Sequence, residues 1–216
     1  NTDKVAEISR LFKEDKRQLA EYNLEDCRLV TEIFAATRLV DFAVSRSELT
    51  GLGMDRFGGA VAAFDNLYLP RLHRRGRVAP DRDDVMQGPG SPGGYVMDSK
   101  PGLYDNVLLL DFKSLYPSII RTFKVDPYAM FEPGEDPIPG YLEATFARDG
   151  AILPELIEEL WRAREEAKKH HNAPLSQAVK ILMNSFYGVL AAEGCRFYDS
   201  RLASSITRRG HDIIQK

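Results

Sequence analysis

The stretch LLLDFKSLYPSIIRTF, Leu108 to Phe123, decides how this chain is to be read. Val107 to Leu110 is a short unbroken apolar run behind Tyr104-Asp105-Asn106. It suits a strand covered on both faces better than a helix of ordinary length. The run ends on a carboxylate, Asp111, and a tight turn into a helix follows. An ionised carboxylate beside an apolar interior is unfavourable unless it is paired, hydrogen-bonded or bound to a cation. Two readings of Asp111 are open on these grounds. It caps the helix that follows, or it holds a hard cation such as Mg2+, which takes one or two carboxylates together with phosphate oxygens and water.

Working outward toward the C-terminus, EPGEDPIPG (132–140) predicts a loop, and Leu153-Pro154-Glu155 opens a long helix. Leu153, Leu156, Ile157, Leu160 and Trp161 form its apolar stripe. Asn172-Ala173-Pro174 interrupts the pattern, and a further helix is predicted from about Leu175 to Tyr187, stopping at Gly188. So short a connection makes the two helices an antiparallel hairpin. Lys180, Asn184 and Tyr187 share one face of the second helix, while Leu175, Val179, Leu182 and Phe186 point to the other. Arg164 and Lys168 also lie one turn apart, with Glu165 and Glu166 beside them, so a solvated charged face is an open reading of that pair. Leu202, Ile206, Ile213 and Ile214 keep a helical period up to Lys216 without a Gly or Pro stop, as expected of a segment internal to a longer chain.

Toward the N-terminus, Asp3 to about Val44 reads as helical, with Leu19, Val30, Ile33 and Phe34 on one face. Gly51, Gly53, Gly58 and Gly59, then RLHRRGRVAPDR and QGPGSPGGYV, predict turns, loops and a domain junction. Arg71, Arg74, Arg75, Arg77 and Arg82 make a basic run that either touches nucleic-acid phosphates or is simply solvated. His73, His170, His171 and His211 have no recognisable partners in sequence.

The chain has 216 residues, 44% hydrophobic and 28% charged, which describes a folded protein of one or two domains rather than a disordered or fibrous one. With 29 basic against 32 acidic residues its formal charge is -3, which excludes a uniformly basic, histone-like binder. Cys27 and Cys195 are far apart and lack companions at metal spacing, so neither a zinc site nor a disulfide framework is indicated. No apolar run approaches the roughly 18 residues that span a bilayer, and no charged-then-apolar leader follows Asn1, so no membrane association is expected and a cytoplasmic protein is the default.

Asp111, Ser114, Leu115, Tyr116, Pro117, Ser118, Ile119 and Ile120 together resemble motif A of the family B DNA polymerases, D-x-x-S-L-Y-P-S-I-I. Lys180, Asn184, Ser185, Phe186, Tyr187 and Gly188 are similar to the family's motif B, K-x-x-x-N-S-x-Y-G, on the expected side of motif A. Tyr22 and Asp26 in YNLED resemble the Exo III motif, Y-x-x-x-D, of the proofreading exonuclease that precedes the polymerase. The resemblance is strongest to the bacterial DNA polymerase II subfamily. It runs through SPGGYVMDSKPGLYDNV, PLSQAVKILMNSFYGVL and CRFYDSRLASSIT as well as the motifs. One departure is Ser91 in Ser91-Pro92-Gly93-Gly94, where the family's Y-x-G-G element has Tyr. That loop lies between the exonuclease and polymerase parts and bears on the balance of synthesis and editing.

The resemblance implies an α+β fold: a palm with an antiparallel sheet and helices, a helical-hairpin fingers subdomain, and before them the C-terminal helices of an RNase H-like exonuclease domain. The implied divisions are 1–46 exonuclease, 47–88 connector, 89–150 palm, 151–193 fingers and 194–216 returning palm. It also implies roles in two-metal nucleotide addition. Asp111 and the Phe112 carbonyl hold Mg2+, with a second acidic ligand downstream; Ser114, Leu115 and Tyr116 receive the triphosphate; and the Tyr116 ring packs beneath the incoming sugar and excludes a 2′ hydroxyl. Arg164 and Lys168 grip the triphosphate tail, Lys180 lies at the α-phosphate with Asn184 on the same face, and Tyr187 and Gly188 meet the nascent base pair. Asp26, as a metal ligand, and Tyr22 serve the exonuclease. Implied partners are primer-template DNA and dNTPs, with a sliding clamp as a further candidate, in a bacterial cytoplasm at the nucleoid. A non-catalytic nucleic-acid-binding remnant of the same scaffold is the alternative. A generic ATPase is disfavoured, because no G-x-x-x-x-G-K-[ST] loop occurs.

Overall fold

The N-terminal helical pattern is cut twice in the computed structural model, which describes residues 4–56, 59–85 and 90–216. It forms α1 (Lys4–Glu14), α2 (Lys16–Thr37) and α3 (Leu39–Thr50). The first cut falls at Asp15, whose carboxylate accepts the Gln18 N–H at 3.0 Å and so starts a new helix. The second falls at Arg38, which adopts the left-handed conformation at φ 52°. Helix α3 then continues six residues past Val44, to Thr50, and ends on Gly51, whose φ of 70° suits a residue without a Cβ. Leu19 is half-buried, but Val30 (56% exposed), Ile33 (55%) and Phe34 (43%) are uncovered, so the apolar face of α2 exists without an apolar cover among the described residues. The expected 46/47 division falls inside α3, which packs on the helix of the motif B residues. Gly58 and the expected 88/89 division lie outside the described residues.

The expected connector is not a string of turns. Ala60–Arg74 forms α4, because Phe64, Tyr68 and Leu72 extend the apolar run Ala60 to Phe64 at i, i+4 spacing. Phe64 and Tyr68 are fully buried at the centre of the molecule. Their rings stack at 5.0 Å, Phe64 meets Phe186 edge-on at 5.5 Å, and Tyr68 meets Phe197 at 4.8 Å. The basic run also proves to be structural in large part. Arg71 pairs with Glu159 at 2.6 Å, Arg75 with Glu155 at 3.1 Å, Arg77 with Glu132 and Arg82 with Asp65 at 3.4 Å. These cations tie α4 and the loop after it to acids elsewhere in the chain; Arg74 alone of the five is exposed with no ion pair among the described residues.

Next come α5 (Leu115–Phe123), α6 (Pro127–Phe131), a ribbon of β1 (Ile138–Pro139) and β2 (Thr145–Phe146), α7 (Ile152–Lys169), α8 (Ala173–Leu190) and α9 (Ser200–Ile214). The ribbon is antiparallel, with Ile138 opposite Phe146 and Pro139 opposite Thr145, and it is the only sheet among the described residues. The strand expected at 107–110 does not form: its backbone is irregular and Leu109 is 90% exposed. A strand needs neighbours to take up its N–H and C=O groups, and no described strand lies beside this one. The fold is therefore mostly helical with a small antiparallel element.

The α7/α8 hairpin matches its sequence pattern. Leu153, Leu156, Ile157 and Leu160 are buried on α7, and Asn172 caps α8 by accepting the Leu175 N–H at 3.2 Å. Helix α8 runs past Gly188, however, because Val189 and Leu190 are buried in the core. Burying two such side chains contributes more than the roughly 1 kcal/mol that a helical Gly costs relative to Ala. Leu202 and Ile206 of α9 close the core, and the helix ends at Ile214. No described helix is long and apolar enough to cross a membrane.

One polar group sits at the meeting point of these elements. Asp126 is fully buried and caps α6. It accepts the Tyr68 hydroxyl, the Leu153 N–H and the Ala129 N–H, each at 2.8 Å. Burial pushes its carboxyl above the ordinary carboxylate range, and the three donors oppose that shift.

The cysteines differ in the same sense. Cys27 is exposed, whereas burial pushes the Cys195 thiol up to about 11. Iodoacetamide at pH 8 is expected to alkylate Cys27 promptly and Cys195 only after denaturation, as read by peptide mass spectrometry. Equal rates at the two would contradict the burial of Cys195.

Candidate active site

The turn after Asp111 is made by Ser114, which takes the left-handed conformation at φ 54° and ψ 63°. Ser114, rather than Asp111, is thus the N-cap of α5, and it makes no side-chain capping bond. Ser118 Oγ braces the turn by donating to the Lys113 carbonyl at 3.2 Å. Leu115 and Tyr116 open the helix, where backbone N–H groups have no intrahelical acceptor, and Pro117 follows with no N–H to satisfy. Such a helix start favours an anion through its free donors and its dipole.

Facing this turn is the inner side of the α7/α8 hairpin. Arg164 and Lys168 project from α7, and Lys180, Asn184 and Tyr187 from α8. With Asp111, Phe112, Lys113, Ser114, Leu115 and Tyr116 they line one open cleft of about 660 Å³. The sequence-predicted polymerase residues therefore meet in a single place, except Gly188, which lies on α8 outside the lining with open space around it. The two faces expected of α8 are present: Val179, Leu182 and Phe186 are buried, Leu175 is half-buried, and Lys180 and Asn184 are exposed.

The charge of the lining favours anions, with Lys113, Arg164, Lys168 and Lys180 against Asp111 alone. Glu165 offsets part of it, pairing with Lys168 at 2.9 Å and Lys113 at 3.4 Å. The hydrogen bond from Lys168 holds the Glu165 carboxyl below its usual range. The Nε of Arg164 is buried and finds no hydrogen-bond partner among the described residues. A buried guanidinium donor left unmatched is unfavourable, and an anion in the cleft would satisfy it.

Tyr116 and Tyr187 close one end, their rings 4.8 Å apart and tilted by 50°. Burial raises the Tyr187 hydroxyl above its ordinary value, and Tyr116 adds to the shift. Asp111 and the Phe112 carbonyl are hard oxygen donors that suit Mg2+, an ion that completes its shell with water and phosphate oxygens. They are a partial set, since no group of three or more Asp, Glu, His or Cys that could hold a metal occurs among the described residues. Tyr22 and Asp26 stand exposed on α2, one turn apart, and are not part of the cleft lining.

Three residues make contacts that the sequence reading did not assign, and of them only Lys113 lines the cleft. Lys113 sits inside the decisive stretch beside Asp111, and its Nζ lies 5.2 Å from the Trp161 ring. Arg121 lies 5.0 Å from the same ring. His211 has a partner after all, the Gly93 carbonyl at 2.9 Å. Of these only Lys113 carried a sequence signal, its adjacency to the acid.

The profile of DNA polymerase family B matches residues 58–216. DNA polymerase II of Escherichia coli strain K12 is 55% identical over 219 residues, covering 99% of this chain and 28% of that protein. A DNA polymerase of Thermococcus gorgonarius is 29% identical over 223 residues, covering 94% of this chain and 28% of its own length. Among solved structures, the family B DNA polymerase of the hyperthermophilic archaeon Pyrobaculum calidifontis superposes with a TM-score of 0.66 at 25% identity, over 85% of this chain and 27% of that one. The chain thus spans little more than a quarter of the length of these relatives. With the motif residues assembled in one cleft and the family profile matched along most of the sequence, this chain belongs to DNA polymerase family B.

Proposed function

We propose that this chain forms the nucleotide-gripping part of a DNA-directed DNA polymerase, which adds dNMP units to a primer 3′ end on a DNA template. The observation that carries the reading is the cleft in which the α5 start, the α7 cations and the polar face of α8 converge. In the reaction a primer 3′ oxygen attacks the α-phosphorus of a dNTP, and the bond to the pyrophosphate leaving group breaks. Arg164 and Lys168 hold the triphosphate tail, and Lys180 meets the α-phosphate with Asn184 alongside. The Leu115 and Tyr116 N–H groups at the helix start bind phosphate oxygens, with Ser114 shaping the turn. The Tyr116 ring lies under the deoxyribose, and Tyr187 with Gly188 borders the nascent base pair.

Asp111 and the Phe112 carbonyl are the residues that would hold Mg2+. Bound there, the ion would lower the pKa of the attacking hydroxyl and offset the charge of the phosphates. Tyr22 and Asp26 belong in this reading to a proofreading 3′ to 5′ exonuclease, with 1–46 its C-terminal part, 47–88 a connector, 89–150 and 194–216 palm, and 151–193 fingers.

The test uses the single tryptophan, Trp161, whose ring lies 5.2 Å from the Nζ of the cleft residue Lys113. Titration of the 216-residue chain with dATP and Mg2+ is expected to change Trp161 fluorescence saturably. Arg164→Ala should weaken that binding about tenfold, the loss of one charge-assisted contact. A chain that binds primer-template DNA but shows no response to dATP would support the non-catalytic remnant instead. The isolated chain is also expected to give no primer extension, because Asp111 is the one carboxylate in the cleft lining. Template-dependent extension that is lost on Asp111→Ala would contradict this.

A further inference from the structure

Ser91 to Tyr95 is a loop without regular structure, and it is pinned to α9 at both ends. Ser91 Oγ lies 3.2 Å from Thr207 Oγ1 and 3.3 Å from Ser204 Oγ, two hydroxyls buried on α9. Two residues on, the Gly93 carbonyl lies 2.9 Å from His211 Nε2. A carbonyl can only accept, so Nε2 carries the proton and donates. The Tyr95 ring then rests 5.6 Å from the His211 ring. Between these anchors Gly94 faces Tyr116: a Cβ built on Gly94 would stand 3.0 Å from the Tyr116 hydroxyl oxygen. The same Tyr116 ring is bordered by Tyr187 at 4.8 Å and by α9, where a Cβ on Gly210 would stand 3.5 Å from it. Gly94 and Gly210 do not line the cleft, whereas Tyr116 and Tyr187 do. The loop therefore meets the hydroxyl end of Tyr116 from outside the cleft lining.

We infer that the loop of Ser91 to Tyr95, latched to α9 by Ser91 and His211, is a positioning element that sets how far Tyr116 projects toward the incoming sugar, so that Gly94 and His211 tune discrimination between deoxy- and ribonucleotides. This rests on the reading of Tyr116 as the residue beneath that sugar. The small Ser91 fits between the Ser204 and Thr207 hydroxyls, which gives the departure from Y-x-G-G a physical role: the first position serves as a latch. The absence of a side chain at Gly94 leaves the Tyr116 hydroxyl its place. A methyl there would crowd the Tyr116 hydroxyl, so the ring would have to give by a few tenths of an ångström, and in this reading it gives toward the cleft.

The experiment is primer extension by the full-length polymerase carrying this segment, with KM and kcat measured for a dNTP and the matching rNTP. Gly94→Ala should raise the KM for dNTP about threefold or more and reject rNTP more strongly, as expected for a displacement well under 1 Å at a positioned contact. His211→Ala, which frees the loop, should shift discrimination the other way and admit more rNTP. Gly94→Ala in a Tyr116→Phe background should have little effect, since the atom met by the new methyl is gone. That cancellation is a readout a merely structural loop would not produce. Tyr116→Ala separates the two levels of inference. If it relaxes sugar discrimination while Gly94→Ala and His211→Ala leave the dNTP-to-rNTP ratio at the wild-type value, the positioning role is overturned and the polymerase reading stands. If Tyr116→Ala leaves the ratio unchanged, the reading of Tyr116 falls and this inference with it. Should Gly94→Ala impair folding, His211→Ala carries the same test alone.

Discussion

Asp126→Ala is expected to destabilise the folded chain by about 3–5 kcal/mol, the scale for removing one partner from a buried, charge-assisted network. The side chain is fully buried and joins three elements: Tyr68 on α4, Ala129 on α6 and Leu153 on α7. Alanine would leave a hydroxyl and two backbone N–H groups buried without their acceptor. Asp126→Asn keeps the shape and one acceptor oxygen but turns an amide donor toward existing donors, so a smaller loss of about 2 kcal/mol is expected. Tyr68→Phe, which removes a donor and leaves the carboxylate its two N–H partners, should cost about 1 kcal/mol. Urea titrations of the three variants against the wild type give the order directly. A midpoint for Asp126→Ala within error of the wild type would mean that these elements are not held together through this group.

Asp111→Asn is the opposite case, with a large effect on chemistry and almost none on stability. Asp111 is exposed, and no hydrogen bond or ion pair involves it among the described residues, so its substitution should change stability by no more than about 0.5 kcal/mol. In the proposed full-length polymerase it supplies the carboxylate for Mg2+, and its replacement by a neutral amide is expected to lower the rate of primer extension on the order of 10³-fold or more. An unchanged urea midpoint with extension lost is the expected pair of results. Retention of more than a tenth of the wild-type rate would remove Asp111 from the proposed role. Two aspartates fifteen positions apart are thus predicted to fail in different assays, because one is enclosed by donors and the other faces an open cleft.

Composition was a poor guide to this site. The formal charge of -3 says nothing of nucleotide binding, yet the cleft gathers four cations and one carboxylate. Much of the remaining basic charge is spent internally, as Arg71, Arg75, Arg77 and Arg82 pair with acids between 17 and 88 residues away in sequence. A run of arginines in sequence cannot announce whether its partners are phosphates or distant glutamates, since both supply the same oxygen geometry. The apolar run 107–110 misled in the other direction: its pattern suits a covered strand, but burial depends on neighbours that the pattern does not contain.

What the sequence by itself determined is what the backbone period determines. The α7/α8 hairpin, the division of α8 into a buried and a polar face, and the placement of Arg164 beside Lys168 follow from 3.6 residues per turn and a capping Asn172. The tertiary structure alone decided that these faces close on the α5 turn to make one cleft, that Asp126 rather than Asp111 is buried, and that the loop of Ser91 to Tyr95 rests against Tyr116. The physical reason is range. Spacing along a helix is local geometry, whereas the Tyr68 to Asp126 bond spans 58 residues and the Gly93 to His211 bond spans 118, and such contacts exist only after the core has packed.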